Sequence, residues 1–301
     1  VENSDADGIH HFWTFQDARG IREHAEESDQ GIIVGAGLLG IDLAAVCAAQ
    51  GIDAKYLMRG DRWWRYALSS DGAEIIHDAL RENGVEPVFD SGVDHFTVDD
   101  DGHVTGAVDP NGDEFDGEWA GVAIGLNFNT EFLDGAGIEE DDGIVVDEYM
   151  QTNVEDIYAA GDLTQFYDTI LNARAQNGAW GSAKEQGSVA GKNMVADDEE
   201  KEFRWVSSYS ITHFDFPFLS FGHPARGDDE AERKYSDSEW RRLAFKNGQL
   251  VGGVLIGDLS QQSKFKKLIR EERKVADQKE LLLEKDVDLD EVKANTAPPA
   301  E

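Results

Sequence analysis

The feature that most constrains this chain is a glycine-rich segment between an apolar run and a helix-like run. Residues 31–35 read Gly-Ile-Ile-Val-Gly, which is typical of a buried strand, whereas residues 38–49 are rich in Ala and Leu and predict a helix. A second strand is predicted at 54–58. In such a turn the first glycine allows a tight bend, the second lets backbone approach a pyrophosphate, and the third lets helix and strand pack closely. The spacing therefore predicts a βαβ unit that binds a dinucleotide through Gly35, Gly37, Leu38, Leu39 and Gly40.

The residues after the second strand indicate which dinucleotide is bound. Sites for NAD usually end this strand with an acid that accepts the ribose 2′-hydroxyl, but Met58 stands here, followed by arginines at 59, 62 and 65. Guanidinium groups match a phosphate well, so the pattern favours the 2′-phosphate of NADPH. The alternative is that these arginines solvate a loop and balance an acidic surface. Trp63 and Trp64, in the same stretch, are expected to pack in the core rather than cover an adenine.

The charge of the chain excludes two classes of partner. Asp and Glu number 62 against 27 Lys and Arg, which gives a net charge of −35 over 301 residues. Nucleic acids and anionic membranes both bind positive potential, so neither is expected as a partner. Salt at about 1 M screens charges within about 3 Å, and the surface therefore suits a halophilic, haloarchaeal type of protein. With no long apolar run and no signal peptide in view, we expect no membrane span and a cytoplasmic location.

Residues outside this turn predict neither a metal site nor a catalytic side chain. Cys47 is the one cysteine, so an intrachain disulfide is excluded, and its helical position predicts a buried apolar role. His10 and His11 are adjacent in an extended segment and are expected to point in opposite directions, which favours a pair of linker residues over a metal site. Residues 109–113 resemble part of a calcium loop but predict a hairpin turn. His223, before a proline, is expected to be a loop histidine rather than an acid–base group.

The remaining patterns predict an alternation of strands and helices. An antiparallel meander is expected over 86–118, a strand at 121–125 and a long helix over 180–195. Aromatic strands are expected over 203–257, with a hairpin at Asn247-Gly248, followed by an amphipathic helix over 261–275 and a charged tail.

The order of these segments resembles the FAD-dependent pyridine nucleotide–disulfide oxidoreductases. Residues 152–162 read Thr-Asn-Val-Glu-Asp-Ile-Tyr-Ala-Ala-Gly-Asp, which is similar to the family's T-x-x-x-x-I-Y-A-x-G-D motif. The following helix matches the pattern W-x-x-A-x-x-Q-G-x-x-A at Trp180, Ala183, Gln186, Gly187 and Ala190. Residues 122–125, with Asn129-Thr130, resemble the family's crossover into the FAD domain, and 12–18 are similar to its linker.

The resemblance implies roles for several residues. Asp162, beside Gly161, would accept a hydrogen bond from the ribityl chain of FAD, and Ala179 and Trp180 would approach the isoalloxazine ring. Asp42 stands where the family usually has Glu near the nicotinamide carboxamide. Arg59 and Arg65 fall at the positions that glutathione reductase-like members use to read NADPH, although relatives with such arginines also accept NADH. Gly125 would close the crossover into the FAD domain.

The resemblance also implies an α/β fold in which a Rossmann-like NAD(P)H domain is inserted in an FAD domain. The family's first βαβ unit, which holds the FAD pyrophosphate, would precede residue 1. We therefore expect a piece of a longer chain, the alternative being a degenerate protein that binds FAD poorly. The expected domains are a linker at 1–29, the NAD(P)H domain at 30–118, the second portion of the FAD domain at 119–198, an α+β interface domain at 199–275 and the tail at 276–301.

The implied activity is hydride transfer from NADPH or NADH to FAD, and from there to a small-molecule or protein electron acceptor. In such enzymes the cofactors carry the chemistry, so no catalytic side chain is assigned. The resemblance also implies that a homodimer can form, because the C-terminal domain often mediates dimers in this family. The alternative function is a nucleotide-binding regulatory or interaction module without redox activity.

Overall fold

The chain folds as the α/β protein that its sequence predicts. The structure is a computed structural model that describes residues 1–196, 200–214 and 216–296. The expected boundary at 198/199 and residues 297–301 of the expected tail lie outside the described residues. The described chain divides into two compact units, which comprise Val1–Gly125, Ile211–Phe218 and Lys234–Trp240 in the first and Leu126–Ser210, Leu219–Arg233 and Arg241–Glu301 in the second.

Sixteen strands and seven α-helices are found in the described ranges. The strands are β1 Ile9–His11, β2 Gln30–Val34, β3 Asp53–Leu57, β4 Val85–Val88, β5 His95–Val98, β6 Val104–Val108, β7 Glu114–Asp116, β8 Trp119–Val122, β9 Ile144–Val145, β10 Thr164–Asp168, β11 Ala173–Ala175, β12 Ser208–Ile211, β13 Phe218–Gly222, β14 Asp229–Ser236, β15 Glu239–Lys246 and β16 Gln249–Ile256. The helices are α1 Phe15–Glu27, α2 Leu38–Gln50, α3 Ser70–Glu82, α4 Trp180–Asn193, α5 Gln262–Glu271, α6 Lys279–Leu282 and α7 Leu289–Ala294.

The first unit is built on a parallel sheet of five strands in the order β1-β8-β2-β3-β4. Its central strand β2 has Ile32 and Ile33 fully buried, and Ile32 lies in an apolar cluster with Phe96, Val104 and Ala107 of strands β5 and β6, which cover one face of the sheet. Helix α2 packs against β2 and β3. Two segments differ from the expectation: β4 extends the parallel sheet rather than joining the meander, and β1 pairs with β8 where a linker was expected.

A separate sheet of three strands forms the meander that was expected. Its order is β5-β6-β7, and both pairs are antiparallel. The turn between β6 and β7 is fixed by Asp109, whose Oδ1 accepts hydrogen bonds from the backbone N–H groups of Asn111 and Asp113. The prediction of a hairpin turn at 109–113 is therefore confirmed.

The second unit contains two sheets. Strands β9, β10 and β11 form a small one. The other has the order β12-β13-β16-β15-β14, and most of its residues belong to this unit. The hairpin expected at Asn247-Gly248 joins β15 to β16, and both residues have positive φ, as a type I′ turn requires. Helix α5 packs on β16, and its Phe265 ring stacks on Phe221.

The prediction of a charged tail from residue 276 onward is wrong for residues 276–296, the part that the structure describes. Helices α6 and α7 form there, and Leu282, Val287 and Val292 are fully buried in the core of the second unit. Arg241, itself buried, donates from Nη1 to the carbonyl oxygens of Leu282 and Glu284 at 2.9 and 2.7 Å. The sequence pattern did not predict these helices because the segment is rich in charged residues and its few apolar residues are widely spaced.

Candidate functional site

The turn between β2 and α2 requires glycine at two of its three glycine positions. Gly35 has a φ of +116°, and a Cβ atom there would lie 2.1 Å from the carbonyl oxygen of Ala123. At Gly40, a Cβ would lie 2.0 Å from the carbonyl oxygen of Gly35, so this glycine lets α2 pack closely on the turn. A Cβ at Gly37 would meet no atom within 4 Å. Gly37 therefore borders open space, which is what a position that admits a ligand needs.

The start of α2 presents the amino end of a helix to this space. Gly37 is the N-cap, and no side chain caps it within the described structure. The helix begins at Leu38, and Leu39 is 40% exposed. The amino end of a helix carries partial positive charge and favours phosphate. In the next turn of the helix, Asp42 has its Oδ1 3.8 Å from Nε2 of His213.

Two tryptophans brace the turn from the loop after β3. Trp63 is fully buried and its indole N–H donates to the carbonyl oxygen of Gly37 at 3.3 Å. The backbone N–H of Trp64 donates to the carbonyl oxygen of Ala36, also at 3.3 Å. The Trp63 ring meets Phe218 edge-on, with centroids 5.6 Å apart. Core packing, as expected, explains Trp63.

The same loop carries the three arginines and separates their roles. Arg62 is used within the protein, because its Nε donates to the carbonyl oxygen of Leu68 at 2.9 Å and its Nη1 contacts Asp61 at 2.6 Å. Arg59 and Arg65 are exposed. Arg65 donates to the hydroxyl of Tyr66 at 3.1 Å, and this hydrogen bond lowers the pKa of Tyr66. Arg59 and Arg65 thus hold their guanidinium groups in solvent beside the carboxyl end of β3.

Gly125 follows β8, the strand that pairs with β2 beside the turn. Its φ is +128°, and a Cβ there would meet no atom within 4 Å. The neighbouring Ile124 is 58% exposed. Strands β2, β3 and β8 are parallel, so their carboxyl ends lie at the same edge of the sheet. Gly125 follows β8 and the glycine turn follows β2, so both lie at this edge, and Ala123 is close to Gly35 there.

In the second unit, Gly161 and Asp162 are fixed by a buried glutamine of α4. The side-chain oxygen of Gln186 accepts from the backbone N–H of Gly161 at 2.7 Å and from the hydroxyl of Thr164 at 2.8 Å. The same hydroxyl lies 2.8 Å from the carbonyl oxygen of Gly161, so its one proton is shared between the two acceptors. This network explains why the helix pattern contains a glutamine. Asp162 itself has no hydrogen-bond partner among the described residues, and burial raises its pKa.

The start of α4 lies close to this carboxylate. A Cβ on Gly178 would be 3.8 Å from Oδ2 of Asp162. Ala179 is the N-cap of α4, and Trp180, its first residue, is 81% exposed with Nζ of Lys184 over its ring at 5.4 Å. A half-buried, unpaired carboxylate near the start of a helix whose first residue is an exposed tryptophan is an arrangement suited to a planar ligand that carries hydroxyl groups.

The predicted site residues therefore fall into two groups, each brought together within its own unit. The first unit contains the glycine turn with Leu38, Leu39, Asp42, Arg59, Arg65 and Gly125, and the second contains Gly161, Asp162, Ala179 and Trp180. Sequence reasoning did not identify His213, because no local pattern reports a pairing over such a separation. The hydrogen bond between Trp63 and Gly37 could not be predicted from hydrophobic periodicity either.

Residues outside these groups have structural partners. His223 pairs with Asp168 at 2.7 Å, and Oδ1 of the same carboxylate accepts from the N–H groups of Ile170 and Leu171. Burial raises the pKa of Cys47 to about 12, which keeps its thiol protonated. The described residues contain no group of three or more side chains fit to hold a metal ion. In the described part of the chain, no helix combines the length and apolar character needed to cross a membrane.

Two family profiles match the chain. The pyridine nucleotide-disulphide oxidoreductase profile matches residues 1–177, and the rubredoxin NAD⁺ reductase C-terminal domain profile matches residues 210–273. The NADH-rubredoxin oxidoreductase of Clostridium acetobutylicum is 24% identical over 265 residues, which are 88% of this chain and 64% of that protein. The chain spans between 34 and 64% of the lengths of four such relatives.

Solved structures share the fold. A ferredoxin reductase of Rhodopseudomonas palustris matches 99% of this chain and 72% of its own, with a TM-score of 0.84 at 19% identity. Putidaredoxin reductase, in a covalent complex with putidaredoxin, matches 97% of this chain and 69% of its own, with a TM-score of 0.85 at 21% identity.

A third structure is an engineered water-forming NADPH oxidase bound to NADPH, with a TM-score of 0.78 at 22% identity over 92% of this chain and 66% of its own. It was made by five substitutions from the NADH oxidase of Lactobacillus brevis. Two of the substitutions introduce arginines six residues apart, and another removes an aspartate immediately before the first of them.

Proposed function

The chain belongs to the pyridine nucleotide-disulphide oxidoreductase family, and from this premise we propose that it passes electrons from NAD(P)H through FAD to an acceptor. Membership confirms the resemblance drawn from residues 152–162. The proposal rests on two features that suit a cofactor. The glycine turn has open space at Gly37, and the Asp162 loop has a carboxylate without a hydrogen-bond partner among the described residues.

The glycine turn fits a pyrophosphate. A phosphate beside Gly37 would meet no side chain, and the amino end of α2 favours its negative charge. Gly35 and Gly40 hold the backbone close enough for this arrangement, and the indole N–H of Trp63 holds the Gly37 carbonyl group. We infer that these residues bind and orient the nucleotide.

The Asp162 loop fits the polyol portion of FAD. A carboxylate without a protein partner accepts hydrogen bonds from hydroxyl groups, and such a partner would offset the burial that raises the pKa of Asp162. Ala179 and Trp180 would then lie toward the flavin ring. When both cofactors are bound, NAD(P)H supplies a hydride and FAD accepts and stores its two electrons.

We infer a preference for NADPH over NADH. Arg59 and Arg65 are six residues apart, with Met58 rather than an acid before the first. This is the spacing of the arginines introduced into the engineered NADPH oxidase, where the preceding aspartate was also removed. Both guanidinium groups are exposed and thus accessible to a 2′-phosphate.

The acceptor we propose is a small redox protein of the rubredoxin or putidaredoxin type, or a small molecule. Support comes from the match to a rubredoxin reductase C-terminal domain and from the acceptors that two relatives carry in their names. A homodimer, a cytoplasmic location, a halophilic setting and the expected domain boundaries other than the tail at 276–301 stay part of the same proposal. No specific observation favours the non-redox module.

The experiment that tests the function uses the purified chain with added FAD. We expect FAD to bind, with the blue absorption of the oxidised flavin, and NADPH to bleach that absorption under anaerobic conditions. Addition of a rubredoxin-type acceptor should restore the colour. If NADPH binds and flavin binds but no bleaching follows, the redox function is wrong and the regulatory module is favoured.

A further inference from the structure

We propose that His213 is a positioning residue of the nucleotide site, which orients Asp42 toward the nicotinamide end of bound NAD(P)H. The inference rests on the proposed function, because dinucleotide binding at the glycine turn gives Asp42 a ligand to face. It adds a residue that is distant in sequence and that lies outside the βαβ unit.

The first observation is the position of His213. It lies late in the chain, but Ile211–Phe218 belongs to the same compact unit as the glycine turn. Its Nε2 is 3.8 Å from Oδ1 of Asp42, and the two side chains are 51 and 27% exposed. The Asp42 carboxylate is therefore open enough to meet a ligand, and one of its oxygens lies near the imidazole.

The second observation is how the stretch that carries His213 is anchored. Phe218, which is fully buried, packs against the rings of Trp63 and Trp64 with centroids 5.6 and 6.1 Å apart. These tryptophans also hydrogen-bond to the carbonyl groups of Gly37 and Ala36. The Trp63 side chain and the Trp64 residue, through its backbone N–H and its ring, therefore contact both the glycine turn and the stretch with His213, so the His213–Asp42 pair has a defined place beside the turn.

The chemistry of the pair matches one end of the ligand. The carboxamide of nicotinamide donates N–H groups, and a carboxylate accepts them. His213 adjoins one oxygen of Asp42 and so restricts how the carboxylate can turn. Arg59 and Arg65 act instead on the 2′-phosphate. His213 should therefore affect ligands that contain nicotinamide and spare those that contain only the adenosine end.

The test compares two probes by isothermal titration of the purified chain in one buffer. NADPH contains both ends, whereas adenosine 2′,5′-bisphosphate contains the 2′-phosphate and adenine but no nicotinamide. We expect His213→Ala to raise the Kd of NADPH about three- to fivefold, which corresponds to up to about 1 kcal/mol. The Kd of the bisphosphate should stay unchanged. In the Asp42→Asn background, His213→Ala should have no further effect on NADPH binding.

The matched control is His103→Ala. His103 also belongs to the first unit and pairs with an aspartate, Asp7, at 2.7 Å, with a similar exposure of 56%. It should change neither Kd. Circular dichroism checks that each variant is folded, and His213→Gln serves as the second variant if His213→Ala is not.

Each other outcome overturns the inference. If His213→Ala leaves the Kd of NADPH unchanged, or raises both Kd values equally, His213 does not act at the nicotinamide end, whereas the proposed function stands. Additive effects of His213→Ala and Asp42→Asn would show that the two residues act independently. If the wild-type chain binds neither probe, the nucleotide site itself is wrong and the inference fails with it.

Discussion

The three glycines of the turn are glycine for different reasons, although they form one sequence motif. At Gly35 the backbone is left-handed and touches a neighbouring strand, and at Gly40 the helix touches the turn. Gly37 has an ordinary negative φ and free space around it. Folding therefore requires the first and third to be glycine, whereas the second is the N-cap of α2 and has room for the proposed ligand.

This difference predicts opposite behaviour for two alanine variants. Gly35→Ala should lower the free energy of unfolding by about 1–3 kcal/mol, because it forces a strained φ and a contact with the Ala123 carbonyl group. Gly37→Ala should change it by less than about 1 kcal/mol but should weaken NADPH binding, since the methyl group enters the proposed pyrophosphate space. Urea unfolding and isothermal titration measure the two effects. Unchanged NADPH binding in Gly37→Ala would contradict the assignment of the turn.

The arginines of the loop after β3 give a second residue-scale prediction. Arg59→Ala and Arg65→Ala should each raise the Kd of NADPH by about tenfold or more, since each removes a charge-assisted hydrogen bond of about 1.5–3 kcal/mol. The Kd of NADH should change less than about twofold. Arg62→Ala is the matched control, because its guanidinium group is engaged by Leu68 and Asp61. Equal losses for NADPH and NADH would exclude a 2′-phosphate site.

Asp162 gives a prediction about pH. Burial raises its pKa above the ordinary 3.8, so the ionised carboxylate is less favourable in the folded than in the unfolded chain. This penalty is fully present above the folded pKa, declines as pH falls below it and is absent below the ordinary 3.8 of the unfolded chain. Asp162→Asn should therefore unfold at a higher urea concentration than the wild type at neutral pH without FAD, and the difference should shrink in acid. A difference that is constant with pH would refute this explanation.

Secondary-structure elements were predictable where their pattern was local. The β2–turn–α2 unit, the meander β5-β6-β7 and the hairpin at Asn247-Gly248 all follow from periodicity and turn residues, and all are confirmed. Strand β1 was missed because it has three residues and two of them are histidines. Helices α6 and α7 were missed because charge dominates their composition, whereas their stability comes from a few apolar residues and from Arg241. The His213–Asp42 pair depends on tertiary contacts alone.

Arg241 therefore gives an element-scale prediction. Arg241→Met should expose the carbonyl groups of Leu282 and Glu284 without a donor and cost about 2 kcal/mol or more, the range for hydrogen bonds to a charged group. Limited proteolysis should then cut more readily within residues 276–296. Arg270→Ala, on the exposed side of α5, is the control and should change neither property. Unaltered stability and proteolysis in Arg241→Met would mean that apolar burial alone holds this segment.

At the scale of the whole molecule the dominant fact is the net charge of −35. Among described pairs, many of the basic side chains already contact an acidic partner, as in Arg81 with Asp78 and Lys264 with Asp286. The excess carboxylates are mostly exposed and repel one another, and this repulsion opposes the compact state. Because the basic side chains are too few to neutralise these carboxylates, we expect dissolved salt to screen their repulsion.

The last prediction concerns salt. Raising KCl from about 0.1 M to about 1 M shortens the screening length from about 10 Å to about 3 Å, and the thermal unfolding midpoint should rise over that range. A variant with Asp99→Asn, Asp100→Asn and Asp101→Asn should show a smaller rise, because it removes three neighbouring charges from one exposed turn. Salt also screens the attraction of Arg59 and Arg65 for a 2′-phosphate, so NADPH affinity should fall while stability rises. A chain that is equally stable and binds NADPH equally well at both salt concentrations would contradict the halophilic interpretation.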